Sequence, residues 1–327
     1  MNPLISIAEA SALIERGVPL SIAGPESALD QLPAGPWIGG TIPYFMAASG
    51  GTVVTGGQVF VTDLSSAGTV TFASYGPDEL VGIVGQAPDN GFTLAIIPAG
   101  GRCHQRFAAD AAGYEGAFLK PTVGWIAGVH LSDLGKVAPK VYDGRTATKS
   151  EDRAVVAYVA VAADKIAVIE IVNPFVPDGG DVVRFPDTSL EIDGCTVNGD
   201  PRNFAEYVHD RGKADGKLPL VGDFAGAHLN VSLQQVGAPG GKVALYAPVF
   251  AGVDYRFARP VSDYAATFRE LIATQDQTGA VLSCNCILNF LFGELEGKSI
   301  GGMQGPAAFG EIAYQLLNQT MVTVRVA

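Results

Sequence analysis

Positive charge is scarce in this chain: 21 Lys and Arg face 33 Asp and Glu, for a formal net charge of −12. So acidic a surface repels phosphate backbones, which bind through clustered Lys and Arg that release counterions. Nucleic acid and anionic membrane are therefore excluded as primary partners. Long apolar runs are missing too. The longest, over residues 153–172, is broken by Asp164 and Lys165, so nothing approaches the roughly 18–20 residues that span a bilayer. The amino terminus lacks the basic, apolar and small-residue zones of a secretory signal. Four cysteines, Cys103, Cys195, Cys284 and Cys286, are too few for a disulfide framework. These absences together point to the cytoplasm. Catalytic signatures are also lacking. The glycine-rich stretch GGTIPYFMAASGG holds no G-x-G-x-x-G, and the chain has no P-loop and no G-x-S-x-G elbow.

Apolar residues make up 48% and charged residues 17% of 327, which suits a large packed core. The 41 glycines and 20 prolines punctuate short runs and predict a β-rich fold with many turns. Ser6 with Glu9 has the spacing of a capping box and opens a helix over 6–16. Helices are also expected over 25–32, 77–86, 102–113, 200–212 and 262–277, and a short one from 287. For 200–212 the expected cap is Asp200. Strands are expected at 19–24, 56–64, 68–75, 92–101, 242–260 and 279–286. A hairpin is centred on Asp143-Gly144, and a second, longer one runs over 153–173 with its turn near Ala163-Asp164. The tail from Gly305 reads as a carboxy-terminal β-hairpin rather than a helix, because Phe309, Glu311 and Ala313 alternate. The segment 72–78 with its following helix and strand has a counterpart beginning at 257–263, a faint internal repeat. The fold class is α+β: two related β-rich halves, with mixed and antiparallel sheets flanked by helices, facing each other across a cleft.

The run from GWIAGVHLSD (124–133) to LEIDGCTVNGDPRNFAEYV (190–208) resembles the middle of FIST-domain proteins. VDYRFARPVSDYAATF (253–268) is similar to a strand and helix of that family's carboxy-terminal half. GAVLSCNCIL followed by GPAAFGEIAYQLLNQT resembles its end. Where the family usually carries Gly-Cys-Ser-Thr, this chain has Gly39, Gly40 and Thr41 without a cysteine. The resemblance implies one half over 1–115 and another over 116–327, packed as a single unit. It also implies a sensory, signal-transduction role: binding a small ligand such as an amino acid, and acting on a signalling protein such as a histidine kinase.

Among candidate site residues, Cys284-Asn285-Cys286 stands out. Alternation on a strand puts both sulfurs on one face and Asn285 on the other. Zinc needs four ligands and no second such pair exists, so buried small hydrophobes are the simpler reading, and a pocket wall the functional one. Arg102 and His104 flank Cys103 after a glycine turn and offer an anion site at a helix amino terminus. Glu311, Tyr314 and Asn318 in the tail are the remaining candidates: Glu311 for a ligand amine, Asn318 for a carboxylate or amide. Asp78 and Asp263 read as helix caps. No catalytic set, metal or cofactor is assigned; a lone histidine such as His130, His209 or His228 as a haem ligand is a minority idea. Two rival readings remain. One is a cysteine-dependent hydrolase or transferase using Cys284 or Cys103. The other is an assembly protein whose acidic surface and β edges make homo-oligomer contacts.

Overall fold

The computed structural model describes residues 3–224 and 226–327. Its architecture is α+β, with mixed and antiparallel sheets flanked by a few helices. Three of the four six-stranded sheets share one plan. In the first, the order is Leu4–Ser6, Gln58–Asp63, Leu20–Gly24, Trp37–Thr41, then the hairpin Val141–Asp143/Thr148–Ser150. In the second it is Thr69–Tyr75, Ala154–Ala160, Gly91–Pro98, Thr122–Ala127, then the hairpin Glu311–Ala313/Gln315–Leu317. In the third it is Ala167–Val172, Met321–Val326, Ala280–Cys286, Gly305–Ala308, then the hairpin Tyr44–Ala47/Gly50–Val53.

The pairing directions repeat as well. In each of the three, the second and third strands of the sheet's own unit run parallel, and all other strand pairs are antiparallel. The chain therefore contains three units, each a β-α-β crossover with flanking strands. Each unit lends its hairpin to another unit's sheet. The second lends to the first, the third to the second, and the first to the third. That closed exchange covers one edge of each sheet, and an uncovered edge is a site for unwanted pairing.

The inner faces of the three sheets share one apolar core, containing Ile38, Phe60, Ile96, Trp125, Val155, Cys284 and Val322. Gly40 allows the close approach of two sheets. A Cβ there would lie 2.8 Å from both Ile96 and Trp125, below any ordinary contact. Helices cover the outer faces. Ile7–Glu15, opened by the Ser6–Glu9 capping box, packs over the first sheet through Ala10 and Ile14. Arg102–Asp110 packs over the second through Cys103 and Phe107.

Residues 173–258 form an inserted unit between the first strand of the third unit and that unit's helix Tyr264–Ala273. It has its own six-stranded and three-stranded sheets and a separate core around Phe185, Phe204 and Tyr255.

Several expectations change. The repeat seen in the sequence is real in its helix-and-strand part: Gly82–Gly85 with Gly91–Pro98 corresponds to Tyr264–Ala273 with Ala280–Cys286. Its leading strand Asp254–Phe257 pairs inside the inserted unit instead. The first unit is a third copy that short matches did not show. A boundary at 115/116 falls within the second unit, between a helix and the strand Thr122–Ala127 that pairs with Gly91–Pro98. The long hairpin over 153–173 is not one. Ala154–Ala160 joins the second sheet and Ala167–Val172 the third, so the turn between them links units. Asp200 lies in the strand Asp200–Asn203, and Asn203 caps the helix Phe204–Asp210 through the Glu206 amide. Asp263 does cap its helix, bonding the Ala266 amide at 2.9 Å. Asp78 pairs with Arg102 and Arg106 instead.

Candidate functional site

Two junctions between units gather polar side chains. The first lies at the tail. Cys284 and Cys286 are buried in the central core. The Asn285 carboxamide oxygen accepts from the Cys286 amide at 2.8 Å and from Asn289 Nδ2 at 3.0 Å. Asn289 Nδ2 also donates to the Thr320 carbonyl at 3.1 Å. Glu311 is fully buried, and neither carboxyl oxygen meets a hydrogen-bond partner among the described residues. The Cys286 thiol and the Thr320 amide adjoin it without that geometry. Burial pushes its carboxyl well above the usual range, which favours the uncharged acid. Such a group offers a donor and an acceptor rather than a counter-charge for an amine. Burial, then the nearby Glu311, pushes both thiols up.

Asn318 has a structural task. Its Oδ1 accepts from the Ser232 amide at 2.8 Å, while Gln319 Oε1 accepts from Ser232 Oγ at 2.5 Å. Asn230 Nδ2 donates to the Gln319 carbonyl, and Asn173 and Asn230 exchange amide bonds of 3.0 and 2.9 Å. The turn after the tail hairpin thus clamps the inserted unit to the body. Among the described residues, polar atoms without a partner remain in this region on Asn285, Asn289, Asn318 and Thr320 as well as Glu311. Tyr314 sits at the hairpin tip with φ +62°, its ring 6.0 Å from that of Phe118.

Arg102 and His104 are elsewhere, on the outer helix of the second unit. The anion position expected there is already filled: Asp152 Oδ1 accepts from the Cys103 amide at 2.8 Å. Arg102 faces Asp78 at 3.5 Å. His104 Nδ1 accepts from the Gly100 amide at 3.2 Å, and burial lowers its pKa to about 4, so the ring is neutral. Cys103 is pushed up to about 12, by burial first and then by the Asp152 charge. Its sulfur meets the carbonyls of Tyr75 and Asp152.

The second junction joins the first and second units, and sequence reasoning missed it. In the other two units the third strand leads into its hairpin through residues 42–43 or 309–310 alone. In the second unit residues 128–140 intervene. This long loop opens a cleft of about 380 Å³ at the carboxy ends of the strands Leu20–Gly24, Trp37–Thr41 and Thr122–Ala127, and strand ends of parallel pairs are where open α/β sheets bind ligands. Its apolar wall is Ile42, Pro43, Val54, Val129 and Val137, and its polar lining includes Glu26, Thr41, His130 and Asp133.

Thr41, Ile42, Val54 and Val129 are buried, which gives the cleft fixed walls. Some other hollows are larger but less walled by buried side chains. The one of about 580 Å³ beside the first helix is lined largely by half-exposed and exposed side chains such as Ser6, Glu9 and Arg16. In the cleft, the His130 ring stacks on Tyr44 at 5.6 Å, and Tyr44 Oη accepts from the Leu131 amide at 3.1 Å, so the loop is anchored at its root. A sequence signal for this site existed only in loop length, and it becomes visible once the three units are aligned.

Among the described residues no group of three or more His, Cys, Asp or Glu is placed to hold a metal ion, and no helix is long and apolar enough to cross a membrane.

The geometry defines a class: an α+β protein of three hairpin-exchanging units with one insertion and one open junction. Over residues 5–327 the chain matches DUF6976, a family of unknown function, and it belongs to that family. No curated protein matches it.

Proposed function

We propose that this protein is a small-ligand-binding sensory module, and that its ligand occupies the cleft under the 128–140 loop. One observation carries the reading. Of three junctions built on one plan, a single one is opened by a long loop, and its cleft of about 380 Å³ falls within the roughly 300–1,000 Å³ usual for ligand pockets. The likeness of several segments to FIST sensory domains supports the same role, with a signalling protein as partner and the cytoplasm as location. The cysteine-enzyme alternative is weakened by thiols that burial holds protonated, since the thiolate is the nucleophile.

Thermal unfolding in the presence of amines, amino acids, carboxylic acids and nucleotides tests the proposal, with Val137→Trp as a variant that fills the cleft mouth. Val137 is 41% exposed, so the bulky ring is tolerated by the fold. A true ligand at a hundredfold excess over Kd stabilises the native state by about 2.7 kcal/mol. It should do so for the parent chain and not for Val137→Trp. A panel without effect, or an equal effect on the variant, would overturn the reading.

A further inference from the structure

We infer that the cleft selects a small alkyl amine, its ammonium group held by Asp133 and its hydrocarbon part against Ile42, Val54 and Val129. This rests on the cleft being the ligand site and goes further by naming the ligand chemistry.

The polar groups of the lining are not equally free. Thr41 Oγ1 is engaged twice by Lys140, accepting from its amide at 2.9 Å and donating to its carbonyl at 3.3 Å. Glu26 is paired with Lys140 at 2.9 Å and with Lys149 at 2.7 Å. His130 Nδ1 is engaged by Ser132, with its Oγ at 2.7 Å and its amide at 3.3 Å. Asp133 is different. Among the described residues its carboxylate meets only the neighbouring Ser132 hydroxyl, at a long 3.3 Å, and no ion pair reaches it. It is half-buried and lines the cleft.

Among the described residues no lysine or arginine lines the cleft. Lys140 is ion-paired with Glu26 and Glu151 and Lys149 with Glu26 and Asp30, while Lys136, outside the lining, donates to the Ser132 carbonyl. A ligand carboxylate entering this space would lose its water, find no cation in the lining and face the charge of Asp133. An ammonium group gains a carboxylate that has no strong partner. The apolar wall then has only a hydrocarbon chain to cover. An amino acid suits the site less well than the amine that lacks its carboxylate.

Three probes of matched shape test this on the full chain by titration calorimetry: 3-methylbutylamine, leucine and 4-methylpentanoate. The amine should bind, and the other two should bind on the order of tenfold more weakly or less, as expected when a like charge is set opposite. Asp133→Asn, a change on an accessible loop, should weaken the amine on the order of tenfold while leaving the melting temperature of the free protein in place. Leucine or 4-methylpentanoate binding as tightly as the amine, or an undiminished affinity in Asp133→Asn, would end the amine assignment and leave the ligand-binding reading standing. The same holds if the amine fails while another compound of the wider panel binds at the cleft. A wider panel in which nothing binds ends both.

Discussion

The junction under the 128–140 loop and the junction at the tail are built from equivalent strands, yet they handle polar groups in opposite ways. In the first, Glu26, His130 and Asp133 stand around an open space where water or a ligand can reach them. In the second, Glu311, Asn285, Asn289, Asn318 and Thr320 are all sealed from solvent, and each retains an unpaired polar atom. Leaving a buried polar group unpaired costs roughly 1–3 kcal/mol, so the tail junction carries a penalty the open one avoids. What offsets it is docking, since the Asn318-Gln319 turn holds the inserted unit through Ser232 and Asn230. Polarity in the interior is therefore no guide to a ligand site by itself; access distinguishes the two.

Three substitutions sharpen or break that contrast. The largest effect is expected at Glu311. Its folded pKa is raised above the ordinary value of 4.5, so the folded state holds a proton that the unfolded state releases. The associated stability is fully present below the unfolded pKa and is lost as pH rises towards the folded pKa, by up to about 1.4 kcal/mol per pH unit. Urea denaturation of Glu311→Gln between pH 5 and pH 8 should show a flatter profile than the parent. Parallel profiles would mean that the acid is solvated and the tail junction is not sealed.

Next is Phe309, whose ring occupies the junction between the second and third units; a Cβ on Gly128 would lie 2.3 Å from it. Truncation to Ala should cost about 2 kcal/mol in urea denaturation, less than for a fully buried Phe because this ring is half-buried. It should also create a second opening at the position equivalent to the ligand cleft, visible as a cavity in a crystal structure of the variant. A cost near zero would show that loop length, rather than this ring, closes the junction. Smallest is Asn318→Ala, which leaves the buried Ser232 amide without its acceptor. About 1 kcal/mol should be lost, and limited proteolysis should cut within 173–258 sooner than in the parent. Unchanged proteolysis would remove the clamp from the account.

Local structure was largely legible. Ser6 and Glu9 announced the first helix because a capping box is closed within a single turn. Asp143-Gly144 marked its hairpin, and the alternation Phe309, Glu311, Ala313 placed the tail in strands, because each depends on neighbours in the chain. The run 153–173 misled because two apolar strands joined by a polar turn look alike whether they pair with each other or with strands far away. Of the candidate site, the burial of Cys284 and Cys286 and the unusual standing of Glu311 were readable from alternation and from a charge in an apolar strand. His130 and Asp133 were not, as an isolated histidine and an acidic loop residue carry no pattern.

The sequence by itself determined the α+β class, the acidic surface and most of the strands and helices, since composition and short-range periodicity act over a few residues. Only the tertiary structure decided that three units exchange hairpins in a closed ring and that one junction of the three stays open. Those outcomes depend on pairings between strands such as Val141–Asp143 and Trp37–Thr41, which the chain brings together from far apart and whose register no local signal encodes.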